Sequence, residues 1–285
     1  MAKKVALVLG AGRGIGGHVA KRFAAGGYHA VLVRRSNSAA LDELLTDIRD
    51  AGGAATGFLI NAAEEGTIEH TIESVEETIG PIEVGLFNLG AQIGNRSLAD
   101  TPYKTFELGW RLANFGLFRF ASALIPRMEQ RGRGCLLITT ATSAVRGNAG
   151  QLSHGAAMGG RRMLAQSLNA EFSSKGIHIA NILVDGPVES PDTLGRVLLK
   201  GEAFEKLLKE KGNGRDELII PAQLAETYWH IAHQHRSCWT HEIDVRPFKT
   251  SPWWNSNFGA DLSEVAPERR EYRRRSGETS AEGSD

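Results

Sequence analysis

The stretch "LVLGAGRGIGGHVAKRF", residues 7–23, decides how the rest of the chain is read. An apolar, β-branched run ends in Gly10, Gly12, Gly14 and Gly16, and a segment of helical period follows. Glycines at such a junction let the backbone turn tightly and approach a pyrophosphate, which then rests on the helix N-terminus and its partial positive charge. A tight turn alone would also use glycine. Here the pattern follows a first strand, opens a helix and precedes a second apolar run, "AVLV" (30–33). That context favours a dinucleotide held by Gly10, Gly12, Gly14, Ile15 and Gly16.

Outward from this junction, short apolar runs alternate with helical segments. "VALVL" (5–9), "AVLV" (30–33), "GFLI" (57–60), "VGLFN" (84–88), "CLLIT" (135–139) and "IANILV" (179–184) are apolar nearly throughout, as strands buried on both faces are. Helical period is expected over 14–26, 38–50, 65–79, 101–131 and 151–174. The alternation predicts an α/β fold, a single Rossmann-type doubly wound parallel β-sheet flanked by helices. Residues 192–212 place Leu198, Phe204, Leu207 and Leu208 at amphipathic helical spacing after the sixth strand, where a lid would lie. A proline-opened helix over 221–234 and a short strand over 241–247 complete the pattern. The expected organisation is one domain over 1–248, with 187–220 as substrate lid. An arm over 249–258 carries Trp253 and Trp254 and docks onto the protein or a neighbouring subunit. The tail 259–285, rich in Glu, Arg, Ser and Gly, is expected to be disordered.

Composition narrows the class. The 285 residues carry 33 Lys and Arg against 33 Asp and Glu, so nothing favours nucleic acid or an anionic membrane as partner. Two cysteines, Cys135 and Cys238, make no disulfide framework and fit a reducing cytoplasmic setting. The opening "MAKKVALVLGAG" has basic residues before an apolar run, but glycines interrupt it too early for a signal peptide, and it reads as a first strand. No stretch approaches the ~20 apolar residues of a membrane helix. No metal is called for.

The end of the second strand selects the cofactor. A carboxylate there would bind the ribose 2′-hydroxyl of NAD, whereas arginine suits a 2′-phosphate. The chain has "VRRSN", with Arg34 and Arg35 and no carboxylate until Asp42. NADP(H) is the expected cofactor, with Arg13 as an additional cation. Two surface arginines at a strand end are the alternative.

The spacing "GAGRGIG" resembles the short-chain dehydrogenase/reductase family, and the likeness runs over most of residues 1–248. "FNLGA" (87–91) stands where that family has an Asn-Asn-Ala-Gly turn, and "RLANFGLF" (111–118) resembles its asparagine-bearing helix, here with Asn114. "RGCLLITTATSAVRG" (133–147) resembles the strand and loop that supply the catalytic serine. "GIHIANILVDGPVES" (176–190) resembles the sixth strand and its Pro-Gly turn, with Asp185 in place of the proline. The resemblance implies that Asn61, Asn88, Gly90, Val188 and Ser190 also touch the cofactor.

In that family a tyrosine exchanges the proton of the substrate oxygen, and a lysine lowers its pKa and holds the nicotinamide ribose. A serine orients the carbonyl. Aligning "GQLSHGAAMGGRRMLAQSL" (150–168) puts His154 at the tyrosine and Met158 at the lysine, and no tyrosine occurs between 104 and 227. Thirteen residues before His154 stands Ala141, with Thr142 and Ser143 as hydroxyl-bearing neighbours. A phenol with pKa about 10 needs a cation to act near neutrality, whereas an imidazole at about 6.5 does not. Arg161 and Arg162, a turn further on, could cover some of the lost charge.

Three functions remain open. The first is an NADP(H)-dependent oxidoreductase on a carbonyl or alcohol, with His154 exchanging the proton, Thr142 or Ser143 orienting the oxygen, and Asn114 holding a water or the helix geometry. The second is a non-redox lyase, isomerase or cyclase using His154 as general base. The third is an inactive nucleotide-binding homologue. The mixed lid suggests a medium-sized, partly apolar small-molecule substrate. The resemblance implies a homodimer or homotetramer built on helices 101–131 and 151–174.

Overall fold

Val5, Leu7 and Leu9 enter one hydrophobic cluster, while Ala6 and Val8 enter another on the opposite side of the same strand. The second strand divides likewise, with Val31 and Val33 against Ala30 and Leu32. Side chains of a strand alternate between faces, so a strand apolar at every position must be covered twice. This is why the runs carry no polar alternation.

The computed structural model describes residues 3–90, 94–195, 199, 201–212 and 214–254. Its strands are β1 (Val5–Leu9), β2 (His29–Arg34), β3 (Ala54–Leu59), β4 (Ile82–Phe87), β5 (Gly134–Ala141), β6 (Ile177–Val184) and β7 (Glu242–Val245). All pair in parallel, in the order β3-β2-β1-β4-β5-β6-β7. The helices are α1 (Ile15–Ala25), α2 (Ser38–Asp50), α3 (Thr67–Thr78), α4 (Tyr103–Trp110), α5 (Gly116–Gln130), α6 (Leu152–Phe172), α7 (Glu202–Lys211) and α8 (Pro221–Ala232). Residues of α1, α2 and α8 fill one core, and residues of α3, α5 and α6 fill the other. The doubly wound parallel sheet expected from the sequence is the observed fold. Chain order reverses between β1 and β4, which opens a crevice at the carboxyl ends of those strands.

Three elements differ from the expected boundaries. The third strand begins at Ala54, because β2 pairs with it in continuous register from His29 opposite Ala54 to Arg34 opposite Leu59. The helix expected over 101–131 is broken by a π-helical turn, Arg111–Phe115, which carries Asn114. Such turns inside α-helices are frequent at functional sites. Within the stretch 192–212 expected to be helical, α7 spans Glu202–Lys211. Gly201 holds φ at +55°, and Ser190 and Asp192 hydrogen-bond to Thr193 and to the glycine loop instead.

Helix α8 closes the sheet against α1. The Arg22 guanidinium lies 4.0 Å over the Trp229 ring and pairs with Glu226 at 2.7 Å. Ala91, Leu198, residues 255–258 of the arm and the tail 259–285 lie outside the described residues. Among the described residues no helix is long and apolar enough to cross a membrane.

Candidate active site

The loop after β1 is fixed by its own backbone. Gly10 has φ of +100°, and a Cβ there would stand 2.5 Å from the Asn88 carbonyl oxygen. The Asn88 side chain donates to the Gly10 carbonyl at 3.0 Å, so the turn after β4 clamps the turn after β1. Helix α1 then starts without a side-chain cap, which leaves its first backbone donors for an anion. At Gly14 a Cβ would lie 2.4 Å from the Ser190 hydroxyl, so the segment after β6 rests directly on the loop.

A cleft of about 620 Å³ runs from this loop across the sheet ends. Gly10, Gly12, Gly14, Ile15, Gly16, Arg34, Arg35, Asn61, Asn88, Gly90, Val188 and Ser190 all line it, as do Thr142, Ser143, His154 and Met158. The volume falls within the range of small-molecule and cofactor sites. Arg13 and Asn114 lie off the lining. Arg13 is half-exposed and reaches toward Glu43 and Asp192, and Asn114 sits buried behind α6.

Arg34 is buried at the end of β2 and donates through Nε to the Ser36 carbonyl at 2.8 Å. Its Nη1 is buried with no hydrogen-bond partner among the described residues. A buried guanidinium nitrogen left open is costly unless a ligand meets it. Its Nη2 lies 3.4 Å from Oδ2 of Asp192, whose same oxygen accepts the Arg13 backbone N–H at 2.8 Å. The strand end thus has no carboxylate in sequence, yet the fold brings one from the segment after β6. The uncapped helix, the glycine loop and the open Arg34 nitrogen fit a dinucleotide.

The other end of the cleft holds the expected proton-transfer groups. His154 lies half-buried in the first turns of α6, and Met158 is buried one turn on. Met158 packs with Ala113 and Ala157 beside Ala141 and Ala144. Asn114 donates to the Ala157 carbonyl at 3.2 Å and thereby ties the π-helical turn to α6, while its Oδ1 is buried without a partner among the described residues. The Ser143 hydroxyl is likewise buried without one. Thr142 and Ser143 occupy a single short turn, Thr142–Ala144, after β5.

The two arginines beyond Met158 part company. Arg162 forms a bidentate pair with Glu242 at 2.7 Å and ties α6 to β7. That pair holds the Glu242 carboxyl below its usual range. Arg161 turns inward, lines the cleft and is 1% exposed.

Four cleft residues beyond the sequence-derived set, Trp253, Asp185, Arg146 and Asp192, come from distant segments. Trp253 donates its backbone N–H to Asp185 at 2.9 Å and its indole N–H to Asp244 at 2.6 Å, while its carbonyl accepts from Arg146 at 2.9 Å. Burial raises the Asp185 carboxyl above its ordinary value, against the Trp253 N–H that lowers it. Asp185 is visible in the sequence as the residue replacing proline. Asp192 and Arg146 carry no sequence signal, because their roles rest on contacts across 107 to 179 residues.

The sequence profile of the family described as short chain dehydrogenase matches residues 4–193. A 3-oxoacyl-[acyl-carrier-protein] reductase of Rattus norvegicus is 30% identical over 205 residues, covering 71% of this chain and 82% of that protein. A short-chain dehydrogenase from Rhodopseudomonas palustris superposes with a TM-score of 0.71 at 28% identity, over 86% of this chain and 99% of that one. A gluconate 5-dehydrogenase from Burkholderia cenocepacia J2315, solved with NADP and tartrate, superposes with a TM-score of 0.72 at 24% identity, over 86% and 94%.

Proposed function

This chain belongs to the short-chain dehydrogenase family, and from that premise we propose that it is an NADP(H)-dependent oxidoreductase acting on a carbonyl or alcohol. The observation that carries the reading is one cleft lined by both halves of the chemistry: the glycine loop with Arg34 and Arg35, and His154 with Thr142 and Ser143. The open Nη1 of buried Arg34 supports a 2′-phosphate over a 2′-hydroxyl. Arg35 and Arg13 add charge near it, and Asn61, Asn88, Gly90, Val188 and Ser190 flank the remaining cofactor length.

The nicotinamide, when bound, supplies or accepts the hydride at the substrate carbon. The chain's own groups handle the oxygen. The Ser143 hydroxyl, buried without a partner among the described residues, donates to the substrate oxygen and fixes its direction, with Thr142 beside it. His154 gives its imidazole proton to that oxygen in reduction and takes it back in oxidation. An imidazole exchanges protons near neutrality without the cation that a phenol requires. Asn114 acts from behind, holding the π-helical turn against α6 so that His154 keeps its place.

The substrate end is lined by Leu108, Leu112, Leu194 and Trp253 with Arg146 and Asn148, which suits a medium-sized, partly apolar small molecule with one polar group. Pro187, Val188, Thr193 and Leu194 line the cleft from the segment after β6, and the arm from 249 supplies Trp253. Exposed Tyr103, Phe106, Trp110, Phe118 and Met163 lie on α4, α5 and α6, which supports a homodimer or homotetramer through those helices. Two free cysteines support a cytoplasmic protein.

Stopped-flow absorbance at the nicotinamide band, with NADPH and a panel of ketones and aldehydes, tests the reaction. Oxidation of NADPH by at least one carbonyl is the expected result. Clear NADPH binding by calorimetry with no oxidation by any member of the panel would overturn it.

A further inference from the structure

Arg161 is a buried cation without a counter-ion among the described residues. Its Nη2 donates to the Leu89 carbonyl at 2.8 Å, Nη1 to the Thr139 carbonyl at 2.9 Å, and Nε to the Ala113 carbonyl at 3.3 Å. Its guanidinium carbon lies 4.9 Å from the centre of the Phe87 ring. Among the described residues no carboxylate pairs with it, and its three hydrogen bonds all go to backbone carbonyls. The other deeply buried arginines differ. Arg119 has Glu69 at 2.6 Å, and Arg34 has Asp192 at 3.4 Å.

Carbonyl oxygens satisfy hydrogen bonds, but they carry no net charge. Removing a guanidinium from water is strongly unfavourable unless an anion compensates it, and an apolar side chain of similar volume would fill the same space without that penalty. Burial pulls the Arg161 pKa down to about 9, which still leaves it charged at neutral pH. The compensation is therefore to be sought in the cleft that Arg161 lines together with His154 and Met158. Helix side chains lean toward the helix N-terminus, so Arg161 reaches back over the turn that carries Ala157 and Met158. The remaining charged groups of the cleft are Arg34, Arg35 and Asp192 toward the glycine loop, and Arg146 and Asp185 joined through the Trp253 backbone.

We propose that Arg161 is an electrostatic positioning residue of this site, holding positive potential in the cleft that disfavours the His154 imidazolium and favours negative charge on the substrate oxygen. The inference rests on the reading of His154 as the acid/base group. It places the site's fixed charge one helical turn beyond Met158, on a side chain anchored to the ends of β4 and β5 and to the π-helical turn.

The test is a histidine titration by NMR on the full chain, with the His154 signal assigned through His154→Gln. Arg161→Met and Arg161→Gln remove the charge, the second keeping an amide to bond the carbonyls. Arg161→Lys keeps the charge. Circular dichroism confirms that each variant is folded. The expected result is a rise of about half a unit or more in the His154 midpoint for the neutral variants, near wild-type behaviour for Arg161→Lys, and return toward wild type in Met158→Lys/Arg161→Gln. A folded neutral variant with an unchanged midpoint would overturn the proposal and leave Arg161 a strut. Because the titration needs no turnover, it separates this inference from the redox reading. A protein that oxidises no NADPH can still show the shift.

Discussion

Asp192 stands 3.4 Å from Arg34 across 158 residues of chain. The contact joins the end of β2 to the segment after β6. The carboxylate sits where the end of β2 and the glycine loop converge, because Oδ2 also accepts the Arg13 backbone N–H. Asp192 is thus an internal anion at the position proposed for the cofactor's phosphates.

Asp192→Asn removes the competing charge while keeping an acceptor for Arg13. NADPH affinity is expected to rise about three- to tenfold, a change of about 1 kcal/mol, with a smaller gain for NADH. Arg34→Ala is expected to weaken NADPH more than NADH by about tenfold or more, from loss of a charge-assisted contact. Calorimetric titration of both nucleotides checks the pair. Equal affinity for NADH and NADPH in the wild type would contradict the assigned role of Arg34.

His154→Ala is expected to lower turnover by about 10²- to 10⁴-fold, the usual scale of general acid–base catalysis. NADPH affinity should stay within about twofold, since the glycine loop and Arg34 are untouched. Steady-state kinetics with the best carbonyl from the panel decides it. Unchanged turnover removes His154 from the mechanism.

Gly10→Ala places a methyl group 2.5 Å from the Asn88 carbonyl oxygen at φ of +100°. Either the loop shifts or the strain remains. A loss of about 1–3 kcal/mol is expected, read as a lower urea midpoint together with weaker nucleotide binding. A midpoint equal to wild type would show that the loop yields freely.

Glu242→Gln removes the charge of the bidentate pair with Arg162 and one of its two acceptor oxygens, while leaving an oxygen for Asn181. Because Arg162 lowers the folded-state pKa of Glu242, the pair's contribution is fully present above the unfolded carboxylate value. It is lost as the pH falls through the folded value. The variant should be less stable than wild type by about 1–3 kcal/mol at pH 7, and the gap should close in acid. Denaturant titrations at several pH values measure it, and a constant gap would show that the loss is one of packing.

Much of this protein is legible in its residues. The alternation of doubly buried runs with helical segments dictates a parallel sheet, because an all-apolar strand has two faces to cover. Gly10 dictates a tight turn, since no side chain fits there. His154 and Met158 share one helix, and their spacing along it is a local property of the sequence.

Other features exist only once the chain is folded. The sequence shows no carboxylate between Arg34 and Asp42, yet tertiary structure supplies Asp192 from 158 residues away. Arg161 and Arg162 are adjacent and chemically identical. The helical twist sends one into the cleft among three carbonyls and the other outward to Glu242. Trp253 joins the cleft wall because Asp185, Asp244 and Arg146 converge on it. Periodicity records which face a residue occupies, and the fold alone decides which distant charge it meets there.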